Sequence, residues 1–183
     1  MIIQSHDTLL INNILGGDTA GYALLVDRYK DLTFTIAYRI LGNHEDAEEV
    51  VQDAFLKAFN GLATFRQQAR FSTWLYRIVY NTAISRKRRK GIRQRSLEEM
   101  PVFDKIAEDQ GDEEDQGILL EKALQQLPDD EKTLVTLYYL NESSIEDIHA
   151  ITGLSKANVK IKLFRVRKKL QVLVTAVAER IYS

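Results

Sequence analysis

The sequence predicts an all-α fold of two small helical domains joined by an acidic flexible linker, the second containing a helix-turn-helix. Three observations carry this. Both prolines, Pro101 and Pro128, lie beyond residue 100, which leaves the first hundred residues free of the strongest helix breaker. Apolar residues recur at three- and four-residue spacing, and no stretch alternates as a half-buried strand does. The charge is sorted along the chain. Residues 1–90 hold 12 basic and 9 acidic side chains, residues 91–117 hold 3 and 9, and residues 118–183 hold 10 and 8. The net charge of −1 is therefore an average over unlike parts, and the domains are expected at 1–92 and 118–183 with the linker at 93–117.

Each element has its own signals. Asp7 is placed to cap a first helix that carries Leu9, Leu10, Ile14 and Leu15 and stops at Gly16-Gly17. Asp18 is placed to cap the next, whose stripe is Tyr22, Leu25, Val26, Tyr29, Leu32, Ile36 and Ile40. Gly42 ends it, and Asn43 caps a third. That helix carries Ala47, Val50, Val51, Ala54, Phe55, Ala58 and Phe59, and Gly61 stops it. Thr64 to Arg70 reads as a loop. Ser72 then caps a fourth helix with Trp74, Leu75, Ile78 and Val79 inside. It ends in the acid-free run Arg86-Lys87-Arg88-Arg89-Lys90, where cations suit a helix C-terminus. Glu98 to Asp115 has nine acids and one Lys and reads as an extended linker. A second helical unit begins near Ile118, with Leu119, Leu120, Ala123, Leu124 and Leu127 as its first stripe, stopped by Pro128. Glu131 to Leu140 reads as one further helix.

Residues 143–170 are the most informative stretch. Ser143 stands three before Glu146, as a capping box requires. Ile145, Ile148 and Ile151 form the inner face of a short helix, Gly153 supplies a turn, and Ser155 caps the next helix. Val159, Leu163, Val166 and Leu170 share one face of it, while Asn158, Lys162, Arg165 and Lys169 share another. This is the helix-turn-helix plan. Lys156, Asn158, Lys160 and Lys162 are the candidate base readers, and Arg165, Arg167, Lys168 and Lys169 the candidate phosphate contacts. An αα-hairpin with a solvated basic face is the alternative. His149 stands four before the turn glycine, where a small residue is usual. It reads as a packing residue, with a pH sensor as the alternative.

Seven aromatics lie between residues 55 and 80, interleaved with Arg66, Arg70 and Arg77. By periodicity most are core. Aromatic faces with cations also suit single-stranded DNA, and a flipped base needs a pocket beside a loop, for which Arg66 to Phe71 is the natural place.

Several classes are disfavoured. There is no Cys, and the three His are far apart, so no metal and no cofactor is expected. No run approaches the length of a membrane span, and the N-terminus has no basic n-region, so neither membrane insertion nor a signal peptide is expected and a cytoplasmic location is the default. The main acid cluster lies in an apolar-poor linker unable to hold catalytic geometry, so no catalytic residue and no small-molecule substrate is expected.

The residues then carry a resemblance. Asp46 to Phe59 resembles the core-polymerase-binding helix of bacterial sigma factors, Phe71 to Ile78 the start of their promoter-melting helix, and Asn158 to Leu170 their C-terminal recognition helix. With only two domains, the chain is similar to the extracytoplasmic-function (ECF) group of the sigma-70 family over about residues 5–175. The resemblance implies a non-enzymatic factor that binds RNA polymerase core, reads a promoter and opens it, commonly under an anti-sigma partner. It implies that Asp46, Glu49, Gln52 and Asp53 face the polymerase, where the residues alone leave a solvated helix face open. It implies a pocket for a flipped −10 base at Arg66, Gln67, Gln68, Arg70 and Phe71. Tyr76, Arg77, Tyr80 and Asn81, with Arg86, Arg88 and Arg89, would hold that strand. Ser155, Lys156, Asn158, Lys160, Lys162, Arg165 and Arg167 would read the duplex −35 element. The linker is either a solvating tether or an occupant of the polymerase's RNA path. Two departures bear on promoter choice. Ser85 stands where the family usually has Asp, and Ile161-Lys162 stands for its usual Ser-Arg, which removes a bidentate guanine contact. An ordinary helix-turn-helix regulator, binding duplex operator as a dimer, is the competing reading.

Overall fold

A computed structural model describes residues 2–96 and 115–182, with side chains over 6–91 and 119–178. Among these residues there are eight α-helices and no strand. The first four, α1 (Ile2–Leu15), α2 (Gly21–Leu41), α3 (His44–Gly61) and α4 (Phe71–Ser96), form the first domain. The others, α5 (Asp115–Gln125), α6 (Asp129–Val135), α7 (Ile145–Thr152) and α8 (Lys156–Tyr182), form the second.

In the first domain α2, α3 and α4 pack against one another. Leu25, Ile36 and Ile40 of α2 meet Val50 of α3 and Leu75 and Val79 of α4. Ala37, Ala47, Ala54, Ala58 and Ala83 are all fully buried. With nothing beyond Cβ, they let the three helices approach closely. Gly42 takes the left-handed conformation (φ 69°) that ends α2, and Asn43 then caps α3, its side-chain oxygen accepting from the Asp46 N–H at 2.9 Å.

Three expected caps are absent. Asp7 lies inside α1, which starts at Ile2, and is buried against the Arg28 guanidinium and the Tyr29 hydroxyl of α2. It staples two helices together; a carboxylate with two such partners no longer needs water. The start of α2 at Gly21 follows Ala20, with no side-chain cap; Asp18 contributes only its backbone carbonyl, which accepts from the Gly21 N–H at 3.4 Å. Helix α4 starts at Phe71, one residue before Ser72, because the aromatic ring is drawn into the core.

In the second domain the expected helix 131–140 begins two residues earlier, at Asp129, and from Thr136 to Leu140 widens into a π turn. The capping box shifts by one residue. Ser144 and Asp147 form it, while Ser143 is buried and takes a hydrogen bond from Asn141 at 2.7 Å. Gly153 adopts φ 75°, and Ser155 Oγ accepts from the Asn158 N–H at 3.2 Å, so the turn and the second cap stand as the sequence indicates.

Helix α4 runs through the expected boundary to Ser96, and α5 begins at Asp115; the rest of the acidic linker, 97–114, lies outside the described residues. The domains do not stand apart. Leu134, Leu137, Ile148, Ile151 and Val159 belong to the same buried cluster as the core of α2 to α4. Among the described residues, Leu124, Leu127, Val135 and Val166 form a separate one. Polar ties among the described residues also cross the boundary. Arg39 of α2 donates two hydrogen bonds of 2.5 Å to Glu121 of α5. Thr73 of α4 donates to Asp147 of α7 at 2.8 Å. Lys87 of α4 pairs with Asp129 at the start of α6.

Candidate nucleic-acid interface

Loop 65–70 and the first turns of α4 enclose a cavity of about 240 Å³ lined by Thr64, Phe65, Arg66, Gln68, Trp74 and Arg77. Its aromatic side is a three-ring cluster. Phe65 lies 5.2 Å from Trp74 and 5.8 Å from Phe71, and Phe71 lies 5.8 Å from Trp74, centroid to centroid. These separations are those of stabilising aromatic pairs. The loop is held in an unusual conformation. Gln67 has φ 55°, uncommon for a residue with a side chain, and its amide donates to Asn12 of α1 at 3.2 Å. Two guanidiniums, an aromatic wall and an amide are what a base with its phosphate requires.

The expected −10 residues divide into two groups. Arg66, Gln67, Gln68, Arg70, Arg77, Asn81, Arg88 and Arg89 are exposed. Phe71 and Tyr76 are not, and neither touches solvent enough to meet DNA. Phe71 is 3% and Tyr76 2% exposed, both packed on Tyr29. Their spacing places them on the apolar side of α4, and burial pushes the Tyr76 phenol well above its usual range. Tyr80 is half-buried, and burial raises it too. Arg86 is held by Asp46 at 2.8 Å and Glu49 at 2.5 Å. Trp74, read from the sequence as core, is the wall residue that the sequence missed. Its half-burial was the missing signal, since periodicity separates faces but not degrees of exposure.

On the other side of α4 runs a groove of about 620 Å³ shared with α3, lined by Glu49, Gln52, Asp53 and Leu56 opposite Thr82, Ser85 and Arg89. Glu49, Gln52 and Asp53 are exposed as expected. Asp46 is not: it is 5% exposed and clasped by Arg86 and Lys90. Burial opposes its ionisation, but the two cations outweigh that and hold it below the usual carboxylate value. Its work is to tie α3 to α4. Leu56, 62% exposed, is an apolar member of this face that the charge pattern did not reveal.

Helix α8 carries the third surface. Val159 and Val166 are buried and Leu163 and Leu170 half-buried, which fixes its inner face. Ser155, Lys156, Asn158, Lys160, Arg165 and Arg167 are exposed, and Lys162 is half-buried. Several cations already have partners. Lys156 pairs with Glu146 at 2.9 Å, Lys162 with Asp130 at 2.6 Å and Lys169 with Glu131 at 3.0 Å. The lysines hold the Glu146 and Asp130 carboxyls below their usual values. Arg167 Nε donates to the Tyr139 hydroxyl at 2.8 Å. His149 is neither between the helices nor free. Its Nδ1 lies 2.7 Å from the Leu154 carbonyl oxygen, which accepts the ring N–H and braces the turn.

Residues 25–92 match the sigma-70 region 2 family and residues 118–170 the sigma-70 region 4 family. The chain is 34% identical over 173 residues to the ECF RNA polymerase sigma factor SigW of Bacillus subtilis, a match covering 88% of this chain and 92% of that protein. It is 30% identical over 182 residues to the RNA polymerase sigma-H factor of Pseudomonas aeruginosa, covering 93% and 94%. In fold it is similar to the sigma factor RpoE of Bartonella quintana, solved with the anti-sigma factor NepR. The TM-score is 0.72 at 24% identity, over 84% of this chain and 96% of that one.

Proposed function

The chain belongs to the ECF group of the sigma-70 family, and we propose on that footing how its surfaces divide the work of a factor that binds RNA polymerase core and directs promoter-specific initiation. The exposed Glu49, Gln52 and Asp53, with Leu56 among them, are the polymerase-docking face. Acids around an apolar side chain suit a basic partner helix, and Asp46 supports that face from behind rather than joining it.

The cavity between loop 65–70 and α4 takes a base flipped out of the non-template strand at the −10 element, and this cavity is the observation that carries the reading. Trp74 and Phe65 offer the stacking wall, Gln68 and Arg66 polar atoms for the base edge, and Arg77 a cation for the phosphate. Asn81, Arg88 and Arg89 continue the exposed polar track along α4. In the second domain Asn158, Lys160 and Lys162 read duplex −35 bases, and Arg165 and Arg167 hold phosphates. Factors of this family are non-enzymatic, and we assign this chain no catalytic step. Its targets, DNA and polymerase, place it in the cytoplasm, and an anti-sigma protein is its expected inhibitor.

Run-off transcription on genomic fragments tests this. Added to core polymerase, the chain is expected to create new start sites, and gel shift is expected to show promoter binding only with core present. Operator binding by the free protein with no effect on core would support the ordinary-regulator reading instead.

A further inference from the structure

Helix α1 lies outside the region 2 match, which starts at residue 25, yet it reaches the base cavity from two directions. The first is the loop. Arg66 and Gln68 line the cavity, while Gln67 between them does not. The Gln67 side chain turns to α1 instead, and its amide donates to Asn12 Oδ1 at 3.2 Å. The same residue carries the left-handed φ of 55°. A residue with a Cβ keeps that conformation only where its surroundings over-determine it. The bond to Asn12 supplies such a constraint.

The second direction is the aromatic wall. The buried carboxylate of Asp7 accepts from the Tyr29 hydroxyl and pairs with Arg28. The Tyr29 ring lies 5.6 Å from Phe71, and Phe71 lies 5.8 Å from both Phe65 and Trp74. Ile11 and Ile14 are buried in the cluster that holds Phe71 and Leu62, which fixes the rotation of α1. Asp7, Ile11 and Ile14 share its inner face by spacing. Asn12 is exposed beside that face, where Gln67 meets it.

Resting on the sigma-factor reading, we propose that α1 sets which base the cavity accepts, with Asn12 and Asp7 as positioning residues that touch no DNA. Asn12 holds the turn at Gln67, and that turn aims Arg66 and Gln68 at the base edge. Asp7 holds Tyr29 against Phe71, and Phe71 seats the stacking wall. Base choice depends on both, because a site built to pair with one base loses its preference when its polar atoms are displaced.

The test uses holoenzyme formed from core and the full chain. It transcribes competing templates that carry each of the four bases at each −10 position and, in a second set, at each −35 position. Asn12→Leu removes the acceptor at nearly constant volume, and Asn12→Asp keeps it. Asn12→Leu is expected to lower discrimination at one −10 position by about three- to tenfold, as loss of one net hydrogen bond allows. It is expected to leave the −35 preferences unchanged, and Asn12→Asp to match the unmodified chain. Gln67→Ala is expected to lose as much as Asn12→Leu, and the two together no more than either, since both act through one bond.

Trp74 is the only tryptophan of the chain, so acrylamide quenching of the free protein reports on the wall without polymerase or DNA. Quenching is expected to rise in Asn12→Leu, and in Tyr29→Phe, which keeps the ring and loses the hydroxyl. It is expected to stay unchanged in Asn13→Leu, an exposed neighbour. Unaltered discrimination in Asn12→Leu, a uniform loss over −10 and −35 positions, or equal quenching in Asn12→Leu and Asn13→Leu overturns the proposal. Failure of the unmodified chain to start transcripts with core would instead overturn the reading beneath it, and the quenching result would still decide whether α1 shapes the cavity.

Discussion

Helices α4 and α8 have similar lengths and similar cationic content, yet they sit in the molecule in opposite ways. Phe71, Leu75, Tyr76, Val79 and Ala83 of α4 are all buried, so the helix is the spine of the first domain and leaves only a strip exposed. Helix α8 buries Val159, Val166 and Val177 while Ile161, Phe164 and Val172 remain exposed, so most of its surface is free to meet a partner. A helix that must shape a cavity needs its backbone fixed by neighbours on several sides. One that enters a groove needs a narrow seat and a wide free face. Basic residues on a helix therefore do not say how it binds; the number of sides that are buried does.

The comparison can be broken in several places. The largest expected effect is on stability. Leu75→Ala should cost about 3 kcal/mol in denaturant unfolding, as truncation of a fully buried leucine does. Ile161→Ala on α8 should change stability by less than about 0.5 kcal/mol. Equal costs would mean that α8 is as deeply seated as α4.

Next is specificity. Lys162→Ala should relax preference at one −35 position by about 1–3 kcal/mol, measured by competition among duplexes with core present. Arg167→Ala should weaken all sequences alike and lower the salt slope by about 1. If both relax the same position, the division of α8 into readers and phosphate holders is wrong.

Asp46→Asn should cost about 1–2 kcal/mol of stability, because Arg86 and Lys90 lose their shared carboxylate. Asp53→Asn should leave stability unchanged and weaken core polymerase binding in a pull-down titration. The reverse pattern would return Asp46 to the docking face.

The smallest effect is on pH. Arg39 holds the Glu121 carboxyl below its usual 4.5, with burial opposing, and Lys162 holds Asp130 below its usual 3.8. A carboxyl depressed in the folded state adds stability above its unfolded value and loses it as pH falls through the folded one. Stability should therefore be flat above about pH 5 and decline below pH 4.5. These partly exposed pairs contribute only about 0.2–1 kcal/mol each. Chemical denaturation between pH 6 and 3.5 checks this, and a decline that begins above pH 6 would implicate other groups.

Much of this was legible in the sequence, for physical reasons that also mark the limits. Helical spacing and the glycines Gly42 and Gly153 act locally, so the elements, the helix-turn-helix and the turn could be read directly. Side-chain caps failed at Asp7 and Ser72 because tertiary partners or core packing overrode the local signal, and at Asp18 because a turn at Thr19-Ala20 delays the start of α2 to Gly21. Asp7 found Arg28 and Tyr29, more than twenty residues away in sequence, and no local pattern foretells that. At the site, the loop and its exposed arginines were visible in composition. The fate of Phe71, Tyr76 and Asp46 was not, because a heptad pattern does not tell a ring at the cavity from a ring beneath it. The shared core of the two domains was also hidden, since an acidic low-apolar stretch reads as a spacer whether or not the flanking domains meet.

The central claim is that α4 and α8 read different promoter elements by different physics. Transcript start sites mapped on genomic DNA with purified core and this chain test it most directly, using the unmodified protein beside Trp74→Ala and Lys162→Ala. The account predicts new start sites with two shared elements at fixed spacing, the −10 letters loosened only by Trp74→Ala and the −35 letters only by Lys162→Ala. An absence of new start sites, or loosening of both elements by either variant, would contradict it.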